Sequence, residues 1–270
     1  MQVFLIKKSL INNIFEFFTK KVIVEEDIIS IKKDWRKIKF KDKIKFAKEI
    51  SNILIENNSN KVIVEKDLKQ DKEFINLLYS NQIDVINGRM LFKELIEKII
   101  DKIIKDNKLK KEEITISITA NNRDIFIDNL VNKLSGNFKR VNIVTNNINK
   151  FIALEERIFN DKGIIITVTN NKRKSLLKSD IILNIDFPEE MINRYTIYDN
   201  SIIINIEESI KIKKKRFNGK IINGYKIKLK KDSQIYNDLN QEKYEEFDLK
   251  DLVECYIINN NSEIENILIC

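Results

Sequence analysis

The chain has 270 residues, 43% of them apolar and 33% charged, with a formal net charge of +8 and no histidine. That balance fits a folded chain with a sizeable core and two domains, and excludes a disordered one. Without histidine there is no Ser-His-Asp triad, no Cys-His pair and no imidazole-ligated metal site, and no apolar run approaches the ~20 residues that span a bilayer.

The first residues, Gln2–Ile6, read as a strand, followed by a short helix at Leu10–Phe18. Lysines break the apolar start and no small-residue cleavage site follows, so a secretory signal is not expected. Val22–Val24 and Ile28–Ile31 read as one or two strands. Lys41–Glu56 carries Ile44, Ala47, Ile50, Ile53 and Leu54 at helical spacing. Val62–Val64 is a predicted strand, Lys72–Ser80 a helix and Ile83–Ile86 a strand. Asn87-Gly88 is a turn signal before a long helix from Arg89 to Lys105, with Leu91, Leu95, Ile99 and Ile103 on one stripe. KVIVEED at Lys21–Asp27 echoes KVIVEKD at Lys61–Asp67. The echo reads either as chance in a biased composition or as two similar strand ends facing one cleft.

From Glu113 onward one unit repeats: a short apolar run, a polar corner, a charged amphipathic run. The runs are Ile114–Thr119, Val141–Thr145, Ile164–Thr169 and Ile181–Asp186, followed by Ser201–Ile206. Strands alternating with segments of this length predict a parallel sheet with helices on both faces, which binds ligands at the carboxyl ends of its strands. The domains are therefore placed at 1–110 and 111–230, with an acidic extension at 231–270.

Three strand ends share a corner chemistry. Thr119, Asn121 and Asn122 close the first, Thr145, Asn146 and Asn147 the second, and Thr169 and Asn170 the third. Thr and Asn at such turns are helix caps; as a set they also form a crevice of hydroxyls and amides suited to a small anionic ligand. Lys150 stands one turn beyond the second corner, and Lys172, Arg173 and Lys174 follow the third. Asp186 is the one acid at a strand's carboxyl end in this domain. It is the candidate general base, or else a cap before Pro188.

The order of VNIVTNNINKF, IIITVTNN, KSLLKSDIILNIDFP and SIIINI over about residues 112–228 resembles the C-terminal nucleotide-binding domain of shikimate dehydrogenase and glutamyl-tRNA reductase. The matching stretches are Val144–Lys150 and Ser179–Pro188. The resemblance implies a Rossmann-like domain, NADP as cofactor, and a sixth strand at Phe217–Ile227. Thr119–Asp124 departs from that pattern because it has no glycine, and the backbone approach to a pyrophosphate depends on glycine. The second strand also lacks the acid that holds an NAD ribose.

The expected fold class is thus α/β, two α/β domains, the second a Rossmann-like doubly wound parallel sheet. The expected function is binding of a small anionic ligand or a protein partner without redox catalysis. A diverged NADP-dependent oxidoreductase is the alternative. Nucleic-acid binding by residues 210–231, with Phe217 and Tyr225 stacking on bases, is the third reading. Residues 209–231 hold ten Lys or Arg and no acid, whereas 232–270 hold ten acids against Lys243 and Lys250. The adjoining blocks suggest that one neutralises the other. Cys255 and Cys270 have no metal-ligand spacing, so no metal is expected, and reduced thiols fit a cytoplasmic protein.

Overall fold

The computed structural model describes residues 3–9, 22–239, 241–256 and 263–270. The helix expected at Leu10–Phe18 lies outside them. Two compact units divide the chain: residues 1–91 with 227–266, and residues 92–226 with 267–270. The acidic stretch that the sequence sets apart at 231–270 thus lies mostly in the first unit.

In the first unit, β1 (Val3–Ser9) lies between β3 (Ile28–Lys32) and β4 (Lys61–Val64), parallel to both. The edge strand β2 (Val22–Glu25) is antiparallel to β3, and β5 (Asp84–Ile86) extends the sheet beyond β4. The antiparallel turn decides the echo. The carboxyl end of β2 points opposite to that of β4, so the two acidic strand ends do not face one cleft, and the repeat is compositional.

Helix α1 (Phe40–Glu56) buries Phe46, Ala47, Ile50 and Leu54, the face set by its apolar spacing. After the single turn α2 (Lys66–Lys69), α3 (Lys72–Ser80) starts on Asp71, whose side chain accepts from the Phe74 amide at 3.1 Å. The same carboxylate pairs with Lys43 at 2.7 Å and accepts from the Trp35 indole at 3.0 Å, so one group caps one helix and clamps another. Gly88 precedes α4 (Arg89–Asp106) at φ +76, and a Cβ there would come within 2.8 Å of Lys250. Both its conformation and its crowding require glycine. The predicted stripe of α4 is buried in full.

The second unit holds six parallel strands: β6 (Thr115–Thr119), β7 (Arg140–Val144), β8 (Thr167–Thr169), β9 (Ile181–Asn184), β10 (Ile202–Asn205) and β11 (Lys220–Ile222). Their order is β11-β10-β9-β6-β7-β8, the 3-2-1-4-5-6 arrangement of a doubly wound sheet. Helix α5 (Ile125–Leu134) joins β6 to β7, and α6 (Ile152–Lys162) joins β7 to β8, ending on left-handed Gly163. The expected third strand shortens because β8 is an edge. Ile166 is buried, but Ile165 is 75% exposed.

Strand alternation makes the two faces of this sheet different. Ile116, Ile118, Val141, Ile143, Ile181, Leu183, Ile202 and Ile204 form a wholly aliphatic face. The other face mixes Ser117, Thr119, Asn142, Asn184 and Asn205 with Val144, Ile182 and Ile203. Its cover is not the helical layer expected on both faces. The four-residue α7 (Glu189–Ile192) and extended chain bring Leu176, Ile192, Tyr195, Ile197 and Ile210 onto Val144, Ile182 and Ile203.

The chain then enters β12 (Tyr225–Leu229), α8 (Gln234–Leu239), α9 (Leu249–Tyr256) and β13 (Ile264–Ile269), with β13 paired to β12. The sixth strand expected at Phe217–Ile227 is therefore two strands, and only Lys220–Ile222 joins the six-stranded sheet. Neutralisation of the basic block by the acidic one is local. Glu265 pairs with Lys228 at 2.7 Å, whereas Asp248 and Asp251 pair with Lys69.

Asp251 is fully buried, and one of its oxygens has no hydrogen-bond partner among the described residues. Burial pushes its pKa up to about 6, against the pull of Lys69; Asp248 adds to the rise and Lys250 opposes it. A folded pKa above the unfolded 3.8 means that the folded state takes up a proton first. Stability therefore rises as pH falls from 7 through 6 towards 4. Burial raises Glu65 and Glu254 in the same direction. The melting temperature is expected to be higher at pH 5 than at pH 7, by on the order of 1–3 kcal/mol of stability from Asp251. Melting curves of Asp251→Asn should show a smaller gain; an unchanged gain would remove Asp251 as its source. In the second unit, Ile182 is fully buried in the mixed face. Ile182→Asp should cost about 4 kcal/mol or more and abolish cooperative melting of that unit.

Candidate functional site

Strand order in the second unit reverses between β6 and β9, the switch point where doubly wound sheets open a crevice at their carboxyl ends. The strand ends there are held in a row. Thr119, Asn184 and Asn205 are in register on adjacent strands. The Thr119 hydroxyl donates to Asn184 Oδ1 at 2.7 Å, Asn184 Nδ2 donates to Asn205 Oδ1 at 3.0 Å, and Asn205 Nδ2 donates to Asn223 Oδ1 at 2.7 Å. Asn223 closes the row on the backbone of Ile210, and Asn184 also brackets the backbone of Phe187. Thr119 is thus a buried link in this row and not a helix cap; Asp124 caps α5 by accepting from the Ile127 amide at 2.8 Å.

Above this row lies the turn that carries phosphate in a dinucleotide fold. Here the carboxylate of Asp186 occupies its amides. The Asn121 N–H donates to both carboxylate oxygens, at 2.8 and 3.0 Å, and the Asn122 N–H donates at 3.1 Å. Asp186 therefore caps neither its own helix nor Pro188. It bridges the ends of the first and fourth strands.

The second corner folds onto the same turn. The Asn146 N–H donates to Asn121 Oδ1 at 3.2 Å, Asn147 Nδ2 donates to the Asn121 carbonyl at 3.0 Å, and Lys150 Nζ donates to Asn122 Oδ1 at 2.8 Å. Thr145 Oγ1 accepts from the Asn147 amide, a local turn. Met191 and Tyr195 complete the cluster. The Met191 sulfur accepts from Asn121 Nδ2 and Asn146 Nδ2 at 3.4 and 3.1 Å, and the Tyr195 hydroxyl lies 3.4 Å from Asn146 Oδ1. Burial pushes the Tyr195 phenol up. Sequence reasoning names neither residue, because both come from the α7 crossover and no local motif marks them.

The third corner meets the second through backbone, the Thr145 N–H donating to the Thr169 carbonyl at 2.9 Å, but its side chains do not join the cluster among the described residues. Asn170 is exposed, and Thr169 Oγ1 accepts only from the Asn171 amide. The capping side chain there is Asn171, which accepts from the Arg173 and Lys174 amides. Seven of the nine predicted ligand-binding positions, all but Thr169 and Asn170, thus lie in the first two corners. Most bond to one another or to neighbouring backbone.

No family model matches the chain, and no curated protein matches it. Among solved structures it is similar to ornithine carbamoyltransferase from Pyrococcus furiosus, with 8% identity and a TM-score of 0.30 over 72% of this chain and 66% of that one. It is also similar to L-tryptophan dehydrogenase from Nostoc punctiforme, with 10% identity and a TM-score of 0.33 over 66% of this chain and 50% of that one. The α/β assignment rests on the strand order and register of the chain itself.

The first unit has its own switch point, between β1 and β4. Glu65, directly after β4, is buried and accepts from the Lys8 amide at 2.8 Å, while Lys8 Nζ lies 3.2 Å from Glu65 and 2.9 Å from Asp67. Burial pushes Glu65 up, and Lys8 holds Asp67 down. The sequence signal for this cluster is an acid immediately after an apolar strand.

The rings expected to stack on bases point inward. Tyr225 is buried and stacks on Phe92 at 4.8 Å, and Phe217 packs against the mixed-face core. No cluster of three or more Cys, Asp or Glu among the described residues could hold a metal. Burial pushes the Cys255 thiol up to about 12, so it is not a thiolate at neutral pH.

If the bridge is structural, removing it has a stability cost. Asp186→Ala removes the acceptor of the part-buried Asn121 N–H and the exposed Asn122 N–H and should destabilise the second unit by about 1–2 kcal/mol, read by denaturant titration. A free general base at this position predicts unchanged stability.

Proposed function

We propose that this chain is a non-redox binding protein that recognises a macromolecular partner, with the Rossmann-like sheet as its scaffold. The observation that carries the reading is the Asp186 carboxylate across the amides of Asn121 and Asn122. Those amides are the donors a pyrophosphate needs, and the turn has no glycine to let a second anion approach. Asp124, at the start of α5, adds another carboxylate beside the same turn. A dinucleotide would have to displace one anion and tolerate the other.

The same geometry bears on the two other ligand classes. A small anion meets the Asp186 carboxylate at its best donors, which disfavours the anion half of the expected function and leaves a macromolecular partner, either the protein of that expectation or the nucleic acid of the third reading. For the oxidoreductase alternative, Lys150 is the residue suited to a ribose phosphate. It is spent on Asn122, and the chain offers no histidine for acid–base work.

Thermal unfolding of the full chain with millimolar NADPH, NADH and a nucleotide panel tests this. A ligand held only by the folded state at a hundredfold excess over Kd adds about 2.7 kcal/mol. No shift with any of them is expected. A rise of several degrees with NADPH alone would restore the oxidoreductase reading.

A further inference from the structure

Two basic stretches of the second unit, 172–174 and 211–216, are separated in sequence and flank one segment, 193–199, which adds Arg194. The Thr196 amide donates to the Lys172 carbonyl at 2.7 Å, and Leu176 bridges to Ile197, which sets residues 172–177 beside 196–198. On the other flank, Asn193 is clipped to the backbone of Lys211 and Lys213 at 2.9 and 2.8 Å, and the Asn218 amide reaches the Asp199 carbonyl at 2.8 Å. Residues 211–218 therefore run beside 193–199. Together the three segments, the first of them a turn and the others irregular chain, help to form the layer that covers the mixed face of the sheet.

Alternation sorts the side chains at 194–198 and 210–215, whereas 171–174 form a turn with every side chain exposed. Leu176, Tyr195, Ile197 and Ile210 turn in and are buried. Lys172–Lys174, Arg194, Lys211, Lys213, Lys215 and Arg216 turn out and are exposed, as is Tyr198 at 38%. Glu189 neutralises Lys213 at 2.7 Å, and no other ion pair is formed by these cations among the described residues. Glu190 and Asp199 are the exposed acids of the segments.

We propose that the outer face of this layer binds the phosphate backbone of a nucleic acid. The inference rests on reading the chain as a binding protein, and it names the partner's chemistry. Cations spread over three parallel segments match a chain of evenly spaced phosphates, whose counterions they release. The one exposed ring, Tyr198, offers a stacking surface without sequence preference. An acidic protein partner would need several apolar anchors between the charges; among these segments Leu177, 43% exposed, is the one exposed aliphatic side chain, while Leu176, Ile197 and Ile210 are buried and Ile212 is half-buried against the core.

The test is fluorescence anisotropy of the full chain with labelled single-stranded RNA and labelled duplex DNA, from 50 to 300 mM KCl. Binding is expected to weaken steeply with salt. Arg173→Glu/Arg194→Glu/Lys215→Glu should weaken it at least tenfold at the lowest salt and flatten the log–log slope by about 2–3. The neutralising Arg173→Gln/Arg194→Gln/Lys215→Gln should fall between. Lys41→Glu/Lys45→Glu/Lys48→Glu changes net charge equally on exposed positions of α1 and should retain binding. Equal loss in that control would overturn the proposal, since net charge would then suffice. No binding of either nucleic acid at 50 mM KCl would also overturn it, as would polyglutamate of matched charge binding more tightly than both nucleic acids, which would point to an acidic protein. A nicotinamide-dependent melting shift bears only on the preceding reading, so the two fail separately.

Discussion

Polar groups at the ends of parallel strands must find partners once chain is packed over them, and the second unit depends on how it meets that demand. Thr119, Asn184 and Asn205 stand in register at the carboxyl ends of adjacent strands and are all buried. Each amide is used twice or more, passing from Thr119 through Asn184 and Asn205 to Asn223 and the backbone of Ile210. A half-satisfied row would cost more than an apolar one, whereas a closed row holds the strand ends rigid. That rigidity sets the height of the turn above Thr119 and, with it, the place where Asp186 meets the amides.

The same solution occurs in both sheets. In each, a carboxylate just after the fourth strand accepts a backbone N–H at the end of the first: Glu65 from Lys8 and Asp186 from Asn121. The cause is topological. At a switch point neighbouring strands send their chains to opposite sides, so no connecting segment covers the amides between them. Dinucleotide proteins fill that gap with a phosphate. Here the chain fills it with its own side chains, which is why a fold with the 3-2-1-4-5-6 order need not carry the matching ligand.

The mixed face explains the basic surface. Short crossovers with a four-residue helix cannot offer a helical stripe, so extended segments cover Val144, Ile182 and Ile203 by alternation. Alternation leaves every second position facing outward; those positions are Arg194, Thr196 and Tyr198 in one segment and Lys211, Lys213 and Lys215 in the other. The Ile-Lys pattern at residues 210–213 thus follows strand logic although no strand forms there. Segments with no regular structure bring together charges that the sequence shows only as separate runs.

The apolar runs with their periods and the parallel α/β class were legible in the chain, because period acts over a few residues; the caps were not, since α5 is capped by Asp124 and not by Thr119. Lys72–Ser80 forms as predicted, the strand ends fall within a few residues of expectation, and Asn87-Gly88 turns the chain into α4 as read. The corners at Thr119–Asn122 and Thr145–Asn147 were marked by composition. Which side chain answers which amide was not, since Asp186 lies 65 residues from Asn121 and only strand order makes them neighbours. Likewise the antiparallel turn of β2, the burial of Tyr225 and the meeting of residues 172–174 with 193–199 and 211–218 were tertiary decisions. Local periodicity states which face of a segment is apolar. What that face packs against, and what the opposite face then presents, depends on contacts between residues distant in the chain.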